Sequence, residues 1–145
     1  MAAKLATLTL AVSTGTGTDN VVGSTVGGFH DYDYFMVDGV LTNTGSGAVD
    51  VCVQRRVGNS TLWRDWIHFP QLAAAAGAKL YTVTPQASNA IVAVGSGSDI
   101  TLAANTTVGG HPGGALRLVA NQSGAGVHIS QTQTVYVTCW KDRHG

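Results

Sequence analysis

His30-Asp31-Tyr32-Asp33 is the densest group of potential metal ligands in the chain. On a strand, Asp31 and Asp33 point the same way and could share a Ca²⁺. Calcium takes about six to eight oxygens, and no EF-hand-like loop surrounds this pair. The segment therefore reads as a solvated lead-in to a strand. The histidines, His30, His68, His111, His128 and His144, are scattered, and no cysteine pair accompanies them at zinc-ligand spacing. No metal or other cofactor is expected. For nucleophilic chemistry, Gly95-Ser96-Gly97-Ser98-Asp99 lacks both the spacing and the strand-to-helix setting of a nucleophile elbow. Every acidic residue is Asp, so a catalytic carboxylate pair would be Asp–Asp, and none is marked out. Gly109-Gly110-His111-Pro112-Gly113-Gly114 lacks the Lys and the following helix of a phosphate loop. The chain is not expected to be an enzyme.

The elements that must carry these residues are strands. The 145 residues suit one domain, 1–145, with a short N-terminal segment. Nineteen glycines, many β-branched residues and no Glu disfavour helices. Thr7 and Thr9 alternate with Leu8, Leu10 and Val12, so Leu5–Val12 reads as a first strand rather than a leader. Further strands are expected at Tyr32–Thr42, Ala48–Val57, Thr61–Phe69, Ala78–Thr84, Ala90–Gly95, Asp99–Ala103, Ala115–Asn121 and Val127–Trp140, divided by Gly/Ser/Asn/Pro turns. Ala73–Ala76 is too short for a stable helix and should form a turn. With no helices to make crossovers, the sheets should be antiparallel. The expected fold is all-β, a two-sheet antiparallel sandwich of jelly-roll-like type.

Charged residues are only 11% of the chain and balance to zero. That excludes the electrostatic footprint of a nucleic-acid binder, and no apolar run is long enough for a membrane helix. Cys52 and Cys139 fall inside strands and read as buried thiols. Arg55 shares the face of Val49, Val51 and Val53, while Arg56 faces the other way. Arg55 either reaches water or pairs with Asp65 or Asp50. Trp63-Arg64-Asp65-Trp66-Ile67-His68-Phe69-Pro70 is apolar on both faces of a regular strand. Either that strand is central and covered twice, or one face meets another subunit.

Asp31–Phe35, Asp50–Arg56 and Trp63–Leu72 together resemble the small virion proteins of tailed bacteriophages, above all the capsid cement (decoration) proteins. The resemblance implies a β-sandwich, usually trimeric, that binds the outer face of the capsid lattice and stabilises the head. Its partners would be the major capsid protein and copies of itself, and its place the virion after assembly in the host cytoplasm. That reducing compartment implies that Cys52 and Cys139 are free thiols. No catalytic residue carries over. The expected contact residues are Met1, Ala2, Ala3, Lys4, Arg55, Arg56, Trp63 and Trp66. Two other functions stay open. One is a tail- or head-fibre domain recognising a host surface glycan. The other is a carbohydrate-binding sandwich stacking sugars on Trp63, Trp66 or Trp140, although Trp63 and Trp66 should face opposite ways.

Overall fold

The computed structural model describes residues 3–12, 20–85, 100–123 and 131–141. Met1, Ala2, His128, His144 and the strand expected at Ala90–Gly95 lie outside the described residues. The strands are β1 (Ala3–Val12), β2 (Val21–Val22), β3 (Val26–Gly27), β4 (Tyr34–Asn43), β5 (Ala48–Arg56), β6 (Trp63–His68), β7 (Gly77–Val83), β8 (Thr106–Thr107), β9 (Ala115–Ser123) and β10 (Gln131–Trp140). No helix occurs among the described residues. The Ala73–Ala76 stretch is a turn in which Ala75 takes a φ of 54°.

Two antiparallel sheets face each other. One runs β1-β10-β4-β7; the other runs β2-β9-β5-β6-β8, with β3 also paired to β9. β2 and β3 are two pieces of one edge strand on β9, in a stretch where the sequence reading placed no strand. Alternation puts Leu8, Val37, Leu41, Val135 and Val137 of the first sheet against Val51, Val53, Leu116 and Leu118 of the second. Each such side chain, fully buried, stabilises the fold by about 1.5–3 kcal/mol. Gly39 admits the Phe69 ring to this layer: a Cβ there would stand 3.0 Å from Phe69 Cε1. Phe69 in turn stacks on Tyr81 at 6.1 Å between centroids.

The β5–β6 ladder is irregular. Val53 pairs with Ile67 and Gln54 with Asp65, so Trp66 is an extra residue without a rung. Such a bulge resets the alternation of the strand. It splits the group Trp63, Asp65, Ile67, Phe69, which a regular strand would hold on one face. Trp66, Ile67 and Phe69 all belong to the core. Trp63 and Asp65 share the outer face with Arg56 and Gln54, their rung partners.

That outer face is covered by the chain itself. The expected strand Asp99–Ala103 is not formed over 100–103. Its amides answer a side chain instead of a ladder: Thr101 N–H and Leu102 N–H donate to Asp65 Oδ2 at 2.7 and 2.8 Å. Both faces of β6 are thus buried within one chain, which resolves the alternatives posed by its sequence. A second subunit is not needed to cover it. The outer face of β1-β10-β4-β7 is different. Leu5 and Leu80 are 66% and 76% exposed there, alongside exposed Val40 and Tyr136.

Buried amides close one end of the sandwich. Asn43 Nδ2 donates to Gly47 O at 2.8 Å and Ala73 O at 2.9 Å, while its Oδ1 accepts from Gly45 N–H and Gln131 Nε2. Gln133 both accepts from Thr42 N–H and donates to Thr42 O. Satisfied groups of this kind fix the register of β4 against β10.

Candidate interaction site

The opposite end gathers the cations. β5 finishes Gln54-Arg55-Arg56, β6 begins Trp63-Arg64-Asp65 and β9 begins Ala115-Leu116-Arg117. Register places Arg55 opposite Arg64, Gln54 between Asp65 and Arg117, and Arg56 opposite Trp63. Four guanidinium groups therefore occupy three successive rungs of adjacent strands. Like charges directly opposite each other destabilise a ladder. The two aspartates that could pair with Arg55 are engaged elsewhere: Asp65 as above, Asp50 with His68 and Gln71.

The other sheet brings two lysines to the same end. Ala3, Trp140 and Tyr34 form its last rung. Lys4 Nζ donates to Gly27 O at 2.7 Å and Gly28 O at 3.1 Å, and stands 4.5 Å from the centre of the Phe29 ring. Lys141 Nζ lies 5.7 Å from the Tyr32 ring. Six of the eight Lys and Arg are thus at one end, against Asp31, Asp33 and buried Asp65. Among the described residues the formal excess at this end is three positive charges.

Of the expected contact residues, the structure brings Ala3, Lys4, Arg55, Arg56 and Trp63 together here. Lys4 straps β1 to the Gly27-Gly28 backbone, so its ammonium is already occupied. Trp63 is mostly buried, with the Arg117 guanidinium 4.3 Å above its ring. Trp66 is corrected: it is wholly buried, edge-on to Phe35 at 6.2 Å, and offers nothing to a partner. Sequence reasoning missed Arg117 and passed over Arg64. Alternation assigns each a face, but only long-range register shows that they meet Arg55 and Arg56.

A polar chain runs inward from this cluster. Arg117 Nε donates to Gln54 Oε1 at 2.9 Å, and Gln54 Nε2 donates to Asp65 Oδ1 at 2.9 Å. Farther along the same sheet, His68 Nδ1 is 2.7 Å from Leu102 O and its Nε2 is 3.0 Å from Asp50 Oδ1. Both neighbours are acceptors, so the imidazolium form satisfies both. Burial works against a charged His68, but the hydrogen bonds to Asp50 and Leu102 and the Asp50 charge outweigh it and raise its pKa. Burial likewise opposes a charged Asp50, and His68 and Gln71 more than compensate, lowering its pKa.

A raised histidine pKa contributes stability that is full below the unfolded value, about 6.5, and fades as pH rises through the folded value. A lowered aspartate pKa does the reverse, and its contribution fades as pH falls through the folded value. The pair thus stabilises most between the two titrations. Unfolding of wild type and His68→Gln by urea, measured across pH, should give a difference that is largest near pH 5–6 and shrinks in mildly alkaline buffer. A difference independent of pH would contradict the charged pair.

His68 has both ring nitrogens hydrogen-bonded, to Leu102 O and to Asp50 Oδ1. His111 is similarly engaged, its Nε2 at 2.7 Å from Tyr32 O and its Nδ1 accepting from Gly113 N–H at 2.9 Å. Cys52 is buried, and burial followed by the Asp65 charge pushes its thiol pKa well up. Burial also raises Cys139. Both thiols are free and buried, so neither is a ready nucleophile. No group of three or more His, Cys or Asp side chains that could hold a metal ion occurs among the described residues. Compared with protein families, with curated proteins and with solved structures, the chain finds no match.

Proposed function

We propose that this chain is a structural, non-catalytic virion protein that seats on the outer surface of a tailed-phage capsid as a cement protein and stabilises the head. The observation that carries the reading is the cationic end of the sandwich. In a chain so poor in charge, Arg55 and Arg56 at the end of β5, on opposite faces of the sheet and beside Arg64 and Arg117, suit recognition of an acidic surface. The major capsid protein is the partner proposed for it. The path β1-β10-β4-β7 facing β2-β9-β5-β6 is read as jelly-roll-like, an architecture used by capsid and lectin domains alike. The bare outer face of the four-stranded sheet supports self-association, proposed as a trimer. Along its alternate positions Asp38 is the one charge, and Thr82 Oγ1 donates to it at 2.7 Å. No nucleic acid or membrane is assigned as a partner.

The test is occupancy on purified particles. An interface arginine commonly contributes about 1–2 kcal/mol or more, so Arg55→Glu with Arg56→Glu should weaken binding at least tenfold. Raising the salt should strip the wild type in the same way, because exposed charges are screened over about 8 Å at physiological ionic strength. The double variant should keep the wild-type circular dichroism. Occupancy unchanged by charge reversal and by salt defeats the capsid reading. Imaging that places the chain on the tail moves the fibre-domain alternative to first place.

A further inference from the structure

Residues 100–104 lie over the outer face of β5 and β6 with little apolar contact to hold them. Leu102 is their one buried side chain; Thr101, Ala103 and Ala104 are exposed. Segments with so few buried apolar groups open locally while the rest of a domain stays folded. Among the described residues, four hydrogen bonds fasten Thr101 and Leu102 to β6, and all four end on an ionisable side chain. Asp65 Oδ2 accepts from Thr101 N–H, Thr101 Oγ1 and Leu102 N–H, and His68 Nδ1 stands 2.7 Å from Leu102 O.

His68 has an acceptor at each end of its ring. Asp50 Oδ1 is 3.0 Å from Nε2, and Gln71 Nε2 holds the other oxygen of Asp50 at 2.9 Å. From β5, Asp50 and the rung partner Cys52 face the ring; from β6 itself, Asp65 adds its charge. Thr106 of β8 is the other rung partner, and residues 100–104 bring no titratable side chain. Protonated, the ring donates to both oxygens at once. Neutral, it keeps one N–H. The Asp50 carboxylate competes for that N–H with the advantage of charge. The carbonyl of Leu102 then loses its donor and meets a lone pair. His68 and Leu102 are each 7% exposed, so the unmet carbonyl is costly where it stands.

We propose that residues 100–104 are a latch over the β5–β6 face, closed while His68 carries a proton and loosened when it loses one. The raised pKa of His68 puts this change above the ordinary histidine value, about 6.5, so the latch loosens as buffer turns mildly alkaline. Opening uncovers Cys52 and Asp65, which are 0% and 1% exposed when it is shut. The motion is local: the β5–β6 ladder and the core beneath it stay paired and packed. The latch does not depend on capsid docking, and the isolated chain suffices to test it.

Amide hydrogen exchange followed residue by residue reads the latch directly. The protection of Leu102 N–H, taken against the intrinsic exchange rate at each pH, should fall about tenfold between about pH 6 and about pH 9, the size of a lost charge-assisted hydrogen bond. Phe69 N–H, bonded to Val51 O at 3.1 Å, is outside the latch and should keep its protection over the same range. His68→Gln is neutral throughout, so its Leu102 protection should be low already at the acid end and should not show the fall. Asp50→Asn removes the carboxylate that favours the charged ring and should move the fall to lower pH. Should His68→Gln fail to fold, the wild type and Asp50→Asn decide the matter. The proposal is overturned if Leu102 protection in the wild type is constant across the range, or if Phe69 loses protection in step with it. It is also overturned if His68→Gln shows the same fall, or if Asp50→Asn leaves its midpoint in place.

Discussion

Trp66→Ala is expected to destabilise the fold by about 3–5 kcal/mol, the usual range for emptying a buried Trp or Phe site. Trp66 is fully buried where β6 bulges into the core, and Phe35 meets it edge-on. Domains of this kind hold about 5–15 kcal/mol in all, so the variant should lose a large share of its stability. The midpoint should fall by roughly 10–20 °C for a chain of this size. Trp66→Phe should cost far less than the volume change implies. The indole Nε1 is buried without a hydrogen-bond partner, and phenylalanine removes that unmatched donor. A thermal melt of the two variants checks both statements. A mild Trp66→Ala, losing under about 1 kcal/mol, would show that the site collapses or that the ring is not in the core.

Asp65→Ala should cost a similar amount for a different reason. The carboxylate is 1% exposed and accepts from Gln54 Nε2, Thr101 N–H, Thr101 Oγ1 and Leu102 N–H. Deleting it leaves several donors facing a void, each unmet one costing about 1–3 kcal/mol. Asp65→Asn should be intermediate, since its amide keeps one acceptor and turns an N–H₂ toward a donor. The consequence is local before it is global. Thr101 and Leu102 lie over the outer face of β5 and β6, where Cys52 is wholly buried. Releasing them should let one thiol per chain react with a disulfide reagent under native conditions, where the wild type reacts at neither. Equal labelling rates for wild type and Asp65→Ala would mean that the segment is held by something other than Asp65.

Much of the sandwich was legible from alternation. Val49, Val51 and Val53 against Asp50, Cys52 and Gln54 declared a strand, and the structure forms it with the valines in the core, although Cys52 and Gln54 on the other face are buried as well. What alternation cannot show is a bulge. The extra residue at Trp66 reverses faces midway along β6, and the sequence there carries no glycine or proline to announce it. The covering of that strand by residues 100–102 was equally hidden. Leu102 looked like part of a strand, whereas its amide answers a carboxylate many residues away. Asn43 ends β4 just before the turn to β5, and its service to β10 depends on a register that pairs distant segments. The interaction site was half legible for the same reason. Arg55 and Arg56 are adjacent in sequence; Arg64 and Arg117 join them only through ladders.

The pairing of β1 with β10 has a further meaning for synthesis. Among the described residues β1 pairs in its own sheet with β10 alone, in a register that sets Ala3 against Trp140. While the chain is still on the ribosome, β1 therefore waits, with Leu8 and Leu10 unburied, until the last strand emerges. Long-range pairings of this sort place β-sandwiches among the slow folders. The four-stranded sheet closes only once β10 has left the ribosome, and its apolar first strand must be kept from other nascent chains until then.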